Sequence, residues 1–176
     1  DNDLRTVKPE SVAKVTCEAA RTYPNKRIIA HFMQPHYPFI GETGLQFDFG
    51  GLGENADVWT LLQNRRCPVD EKKVWQAYAE NYQLTESSIR TISSETYGKV
   101  VVTADHGNLI GERLSPIPVK CYGHPRGIRH SNLVTVPWHK LPTKNRRDIT
   151  SDPPRKTDEI SEESVEEKLQ HLGYID

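Results

Sequence analysis

No apolar run in the 176 residues approaches the ~20 that a membrane-spanning helix needs, so no span is expected. No segment reads as a signal peptide either, although the chain opens on Asp1 and an upstream segment is not excluded. Cysteine is scarce. Cys17, Cys67 and Cys121 are odd in number, far apart and without the paired spacing of a zinc site. That predicts free thiols in a reducing compartment, hence a cytoplasmic location. Net charge is nearly absent at −1, which removes any global pull toward nucleic acid or anionic membranes. Internal repeats are absent as well.

Charge is present locally. Residues 126–156 carry Arg126, Arg129, Lys140, Lys144, Arg146, Arg147, Arg155 and Lys156 against Asp148 and Asp152, and 158–167 is acidic. No aromatics interleave with the basic residues, so a solvated segment is a better reading than a nucleic-acid surface.

With 35% hydrophobic residues the chain can bury a core. Residues 9–22 read as a helix opened by Pro9, with Val12, Val15, Ala19 and Ala20 as its apolar stripe. Residues 27–33, RIIAHFM, read as a buried strand. The Pro- and Gly-rich stretch 34–56 reads as a long loop of the kind that usually carries function. A short helix is expected from Asp57 to about 66. A long one, capped by Asp70, runs to about 95 with Val74, Tyr78, Tyr82, Ile89 and Ile92 inward. GKVVVTAD (98–105) and NLVTVPW (132–138) read as further strands. A polar Pro-rich linker over 140–156 leads to a last helix capped by Ser161 and stopped by Gly173. Strands alternating with helices predict an α/β fold with a mainly parallel sheet flanked by helices.

The candidate chemistry begins in VVTADHGNLIGER (101–113), where a β-branched run ends in Asp105-His106-Gly107. In an open parallel sheet ligands bind beyond the carboxyl ends of strands. A carboxylate beside an imidazole suits Ca, Mg, Mn or Zn. The bland alternative is a turn in which the Asp caps backbone amides. Similar features recur: His36 lies between Pro35 and Pro38, and His124 between Gly123 and Pro125, both on loops of fixed shape. His31 reads as a core or strand histidine. Three histidines and an aspartate on preorganised loops point to an anion or metal site.

HFMQPHYPF, VVVTADHGNLIGE, YGHP…LVTVPW and the terminal EEKLQHLGYID together resemble the sulfatases, within the alkaline phosphatase superfamily. These stretches occur in the family's order and cover nearly the whole chain. The resemblance implies an alkaline-phosphatase-like fold, a divalent cation, and hydrolysis of small-molecule sulfate or phosphate esters through a covalent nucleophile. It makes Asp105 and His106 the metal-ligand pair and His36 a contact to the ester's anionic group. His124 falls where sulfatases carry a substrate-binding Lys and phosphatase relatives a metal-binding His. The family's nucleophile motif, Cys/Ser-x-Pro-x-Arg, is matched only by residues 151–155, after the metal pair instead of before it. The chain therefore resembles the C-terminal portion of such a protein, a partial domain, with residues 1–139 its core and 140–176 the linker and last helix.

Three functional readings follow. The chain is the metal- and substrate-binding part of a sulfatase-like hydrolase, inactive alone. Or it is a non-catalytic module that keeps the family's binding site. Or its basic segment docks an acidic partner. The parallel-sheet reading further expects 27–33 and 99–104 to be neighbouring strands with helix 71–95 on one face. It also expects an exposed sheet edge that invites homo-oligomers, and a cleft where His36, Asp105, His106 and His124 converge.

Overall fold

Local sequence signals decide the helices. In a computed structural model of the chain, which describes residues 4–47, 57–142 and 145–153, α1 spans Pro9–Thr22 with Pro9 in its first turn. α2 (Glu42–Leu45) and α3 (Val58–Gln63) follow, then α4 (Glu71–Glu95). The Asp57 carboxylate accepts from the amides of Trp59 and Thr60 at 3.4 and 3.1 Å. That of Asp70 accepts from Lys73 at 2.9 Å. Each supplies an acceptor to a helix end that would otherwise leave donors unpaired.

The buried faces differ from those the apolar residues suggest. α1 buries Pro9, Ala13, Thr16 and Cys17 while Val15 is exposed. α4 buries Val74, Ala77, Asn81, Thr85, Ser88 and Ile92 while Tyr82 is exposed. Small residues line these faces because the helices pack closely: Ala13 and Cys17 meet Ile92, with Ala30 and Phe32 against them.

The expected mainly parallel, alkaline-phosphatase-like sheet is not what the structure contains. Among the described residues the strands form two separate two-stranded antiparallel ribbons. One pairs β1 (Val101–Thr103) with a strand at Trp138–Lys140, in the register Val101 to Lys140. The other is a hairpin of β2 (Leu109–Arg113) and β3 (Lys120–Gly123), with a bulge at Gly111, where φ is +94°. Residues 27–33 form no ladder, and Ile29 is 93% exposed. NLVTVPW is not a strand either. Ser131–Val134 is a short helix, α5, and only Trp138 begins the last strand, β4.

The physical reason lies in the helices. A parallel sheet needs both faces covered, but α1 and α4 pack on each other. β1 is left with Val101 and Thr103 exposed, and its partner is the returning segment 138–140.

Two further clusters complete the core. Phe39, Val58, Trp59, Leu62, Val74 and Ala77 join α3, α4 and the chain after His36. Leu109, Cys121 and Leu133 join the hairpin to α5. Residues 145–153 are irregular but pinned. The Arg147 guanidinium donates to the carbonyls of Ala20, Tyr23 and Pro24 at 3.0, 3.1 and 2.7 Å, capping the C-terminal end of α1. Lys26 pairs with Asp152 at 2.6 Å. The expected final helix lies outside the described residues. Among the described residues no helix is long and apolar enough to cross a membrane.

Candidate functional site

The chain from Gln34 to Ile40 carries His36 over the aromatic part of the core. Phe39 anchors it, with its ring edge-on to Tyr37, Phe47, Trp59 and Tyr78 at centroid distances of 5.5–6.5 Å. The His36 ring stands edge-on to Trp59 at 6.4 Å. Its Nδ1 lies 2.5 Å from the Tyr37 carbonyl oxygen. A carbonyl can only accept, so Nδ1 carries the proton, and in the neutral ring Nε2 is a bare lone pair.

Asp105 and His106 follow β1 directly. Asp105 accepts the His106 amide at 2.9 Å, so the turn-capping role is filled whatever else the carboxylate does. His106 Nδ1 donates to the Gly107 carbonyl at 2.9 Å, which again turns Nε2 outward as an acceptor. It lies 3.8 Å from the carboxylate of Asp105. Gly107 is dictated by a neighbour. A Cβ there would stand 1.7 Å from the carbonyl oxygen of Asn132, and the Gly107 amide donates to Leu133 at 2.9 Å. The Asp105-His106 turn is thus bolted to α5.

His124 enters from the end of β3. Gly123 before it has φ +72°, and a Cβ there would lie 3.1 Å from Trp59. Close packing against α3 and left-handed backbone both favour glycine at this position.

These three segments bring their imidazoles together. His36 Nε2 and His124 Nε2 are 3.2 Å apart. The rings of His106 and His124 are 4.5 Å apart between centroids, and those of His36 and His124 5.3 Å. His124 sits in the middle, and with His36 accepting at Nε2 it is the donor of that hydrogen bond. Its pKa is held below the ordinary histidine range, first by burial and then by the neighbouring rings of His106 and His36; the Asp57 carboxylate opposes this. All three histidines are partly buried and Asp105 is exposed at the rim. They meet as a cluster between α3, the hairpin and the His36 loop, not beyond the edge of a parallel sheet.

The donor chemistry suits a cation in part. Two histidines whose Nδ1–H groups are held by main-chain carbonyls have the tautomer that metal-ligating imidazoles need. The count falls short, since among the described residues no three His, Cys, Asp or Glu side chains converge where an ion could sit.

Other sequence candidates lie elsewhere. All three cysteines are free thiols. Cys17 packs on Ala13 and Ile92, Cys121 on Leu109 and Leu133. Burial pushes the thiols of Cys17 and Cys67 up, the wrong direction for an activated nucleophile. Ser151 is exposed in an open cleft of about 890 Å³ lined by Lys26, Arg27, Arg146 and Arg147, a different place from the histidine cluster. His31 is exposed and belongs to no strand. Two participants were not singled out by sequence. Trp59, 5% exposed, braces both His36 and Gly123, and Asp57 biases His124. The one local signal for the first is Gly123, whose place before a histidine implies close approach by something bulky.

No family model, curated protein or solved structure matches the chain.

Proposed function

We propose that this chain supplies the ester-binding part of a hydrolase of sulfate or phosphate esters, the class its motifs resemble. The observation that carries the reading is the meeting of His36, His106 and His124, three histidines drawn from segments far apart in sequence, with an Nε2–Nε2 separation of 3.2 Å. Imidazoles gathered this closely repel one another when protonated, and an oxyanion among them offsets that repulsion. His124 Nε2–H, released from its bond to His36, can donate to a non-bridging ester oxygen. His36, once protonated at Nε2, can donate to a second oxygen or to the departing alkoxide. A divalent cation (Ca, Mg, Mn or Zn) enters this reading as a partner of Asp105 and His106, where it would polarise the ester oxygens when bound. The described residues do not complete its shell, and the roles of His36 and His124 rest on the chain's own side chains.

A second reading has specific support. The buried Cys17 and Cys121, the half-buried Cys67 and the remote Ser151 leave the cluster, among the described residues, without an attacking group of the family's kind. A non-catalytic binding module of sulfatase type has the same site and binds without turnover.

Both readings require anion binding, which is tested first. Titration of the chain with inorganic sulfate, inorganic phosphate and an aryl sulfate, followed by calorimetry and by the histidine ring resonances, should show binding that His36→Ala and His124→Ala each weaken. If none of the three anions binds or moves the ring signals of these histidines, both are wrong. Turnover of the aryl sulfate by this chain alone would decide against the non-catalytic module.

A further inference from the structure

A helix interior that faces a core is normally apolar, and α4 obeys this until its middle. Val74 and Ala77 are apolar and fully buried, and the next residue on that face is Asn81, also with no exposed surface. A buried carboxamide is costly unless its donors and acceptor are all used. Here they are used on one target. Oδ1 accepts the Ile40 amide at 2.8 Å. Nδ2 donates to the carbonyls of His36 and Pro38, each at 3.1 Å, with that of Pro35 at 3.5 Å. Every one of these groups belongs to the 35–40 segment that carries His36.

We infer that Asn81 is a positioning residue for His36: its carboxamide fixes the main chain of the 35–40 segment and so holds the imidazole against His124. The consequence for ester binding rests on the proposed role of His36.

The residue type is specific to this task. The segment offers carbonyls that need donors and one amide that needs an acceptor, within the span of a single side chain. Asn supplies both from one planar group. Asp has the same shape but would set lone pairs against the carbonyls of His36 and Pro38, and an aliphatic residue would leave all of them unpaired. Pro35 and Pro38 lack amides, so this segment has few donors of its own to satisfy its carbonyls. Among the described residues its one short-range main-chain bond around His36 is the His36 amide donating to Met33 at 3.0 Å, beside the contact of the His36 ring with the Tyr37 carbonyl. The shape of the His36 loop is therefore written mainly on α4, a rigid 25-residue helix.

Nuclear magnetic resonance on the whole chain tests this. The comparison uses Asn81→Asp, Asn81→Ala and a control, Ile92→Val, which trims the α1–α4 contact on the same helix without touching the loop. The readouts are the ring-to-ring Overhauser effect between His36 and His124 and the affinity for inorganic sulfate. Folded Asn81→Asp and Asn81→Ala should lose the Overhauser effect and bind sulfate roughly tenfold more weakly, the effect of losing one hydrogen bond to an anion. Ile92→Val should change neither, although it lowers the urea midpoint. Folded Asn81 variants that keep the ring contact and bind sulfate within about twofold of the parent would overturn the proposal.

Should both variants fail to fold, the unmodified chain decides. Slow exchange of the Asn81 carboxamide protons, slowed further by sulfate, supports the assignment; exchange as fast as that of exposed Gln83 overturns it. Loss of the ring contact in Asn81→Asp, in a chain whose parent does not bind sulfate, would keep the positioning role and reject the ester reading.

Discussion

Gly107→Ala should unfold the candidate site from its most confined point. The added Cβ would stand 1.7 Å from the carbonyl oxygen of Asn132 and 2.8 Å from its carbon, where contacts under 3.0 Å are essentially never seen. Both atoms are main chain, so no rotamer change relieves the clash, and α5 must withdraw by about 1.3 Å to restore a 3.0 Å contact. That movement breaks the 2.9 Å hydrogen bond from the Gly107 amide to Leu133, worth about 1 kcal/mol. It also drags Leu133, 6% exposed, off Leu109 and Cys121, and such overpacking costs about 2 kcal/mol. The expected loss is roughly 3 kcal/mol, or about 6–12 °C in Tm for a chain of this size. Gly127→Ala is the informative comparison. Nothing lies within 4 Å of its Cβ, but its φ is +75°, so that substitution isolates the left-handed backbone cost of about 1–2 kcal/mol. Urea unfolding of both variants, followed by tryptophan fluorescence, separates the two effects. If Gly107→Ala costs no more than Gly127→Ala, α5 does not press on the Asp105-His106 turn.

Tyr122, pushed up to about 12 by burial and then by its hydrogen bond to Glu71, should ionise at lower pH in Glu71→Gln. It should remain above the ordinary tyrosine value, since the burial persists; ultraviolet titration reads both points. Glu71 itself is held below the usual carboxylate range by hydrogen bonds from Lys120 and Tyr122. Its contribution to stability is therefore present above about pH 4.3 and is lost as pH falls through the lower folded value. Acid unfolding of Glu71→Gln should start from a lower plateau and show a smaller loss over that interval. Asp57→Ala removes the α3 cap and should cost about 1 kcal/mol in urea unfolding. It should also lower the pKa of His124 further, because the Asp57 carboxylate favours the protonated ring; a rise in the ring titration would contradict that electrostatic assignment. Cys17 and Cys67 should alkylate slowly in the folded chain and rapidly in urea, because burial raises both thiols. Equal rates under the two conditions would show that neither thiol is shielded by the fold.

The helices were legible because their signals are local. Pro9, Asp57 and Asp70 sit where a helix must begin, and α1, α3 and α4 start there. Which residues face inward was less legible. The closest approach of α1 to α4 selects alanine, threonine, serine and cysteine for the buried face, so counting large apolar residues misplaces Val15 and Tyr82 outside their true setting. Strand pairing was not legible at all. VVVT is a good strand sequence, but a β-branched run states neither its partner nor its direction. That decision is made by the distant residues 138–140, which pair with β1, and by α1 and α4, which cover each other and not a sheet. The β2–β3 hairpin was hidden for a different reason. Its strands contain Glu112, Arg113 and Lys120, and its turn is a Ser-Pro-Ile-Pro stretch in place of a tight Asn-Gly signal.

The meeting of the histidines was legible further than the fold, and the structure shows why the two separate. His36 and His124 stand out in sequence by the prolines and glycine that flank them, and His106 by its place after Asp105 at the end of a β-branched run; these are local signals. Their meeting does not depend on parallel strands. The Trp59 ring is braced against both His36 and Gly123, the Asn81 carboxamide holds the His36 segment to α4, and the Asn132 carbonyl closes on Gly107. Each of those three contacts comes from an element that reads as ordinary core or helix in sequence. An inward tryptophan, an asparagine in mid-helix and a glycine after a histidine acquire their meaning only when the opposing surface is known. Short local motifs can therefore mark side chains that meet in space while misstating the architecture around them. The loops carry the imidazoles, and three contacts from outside the motifs bring them to one place.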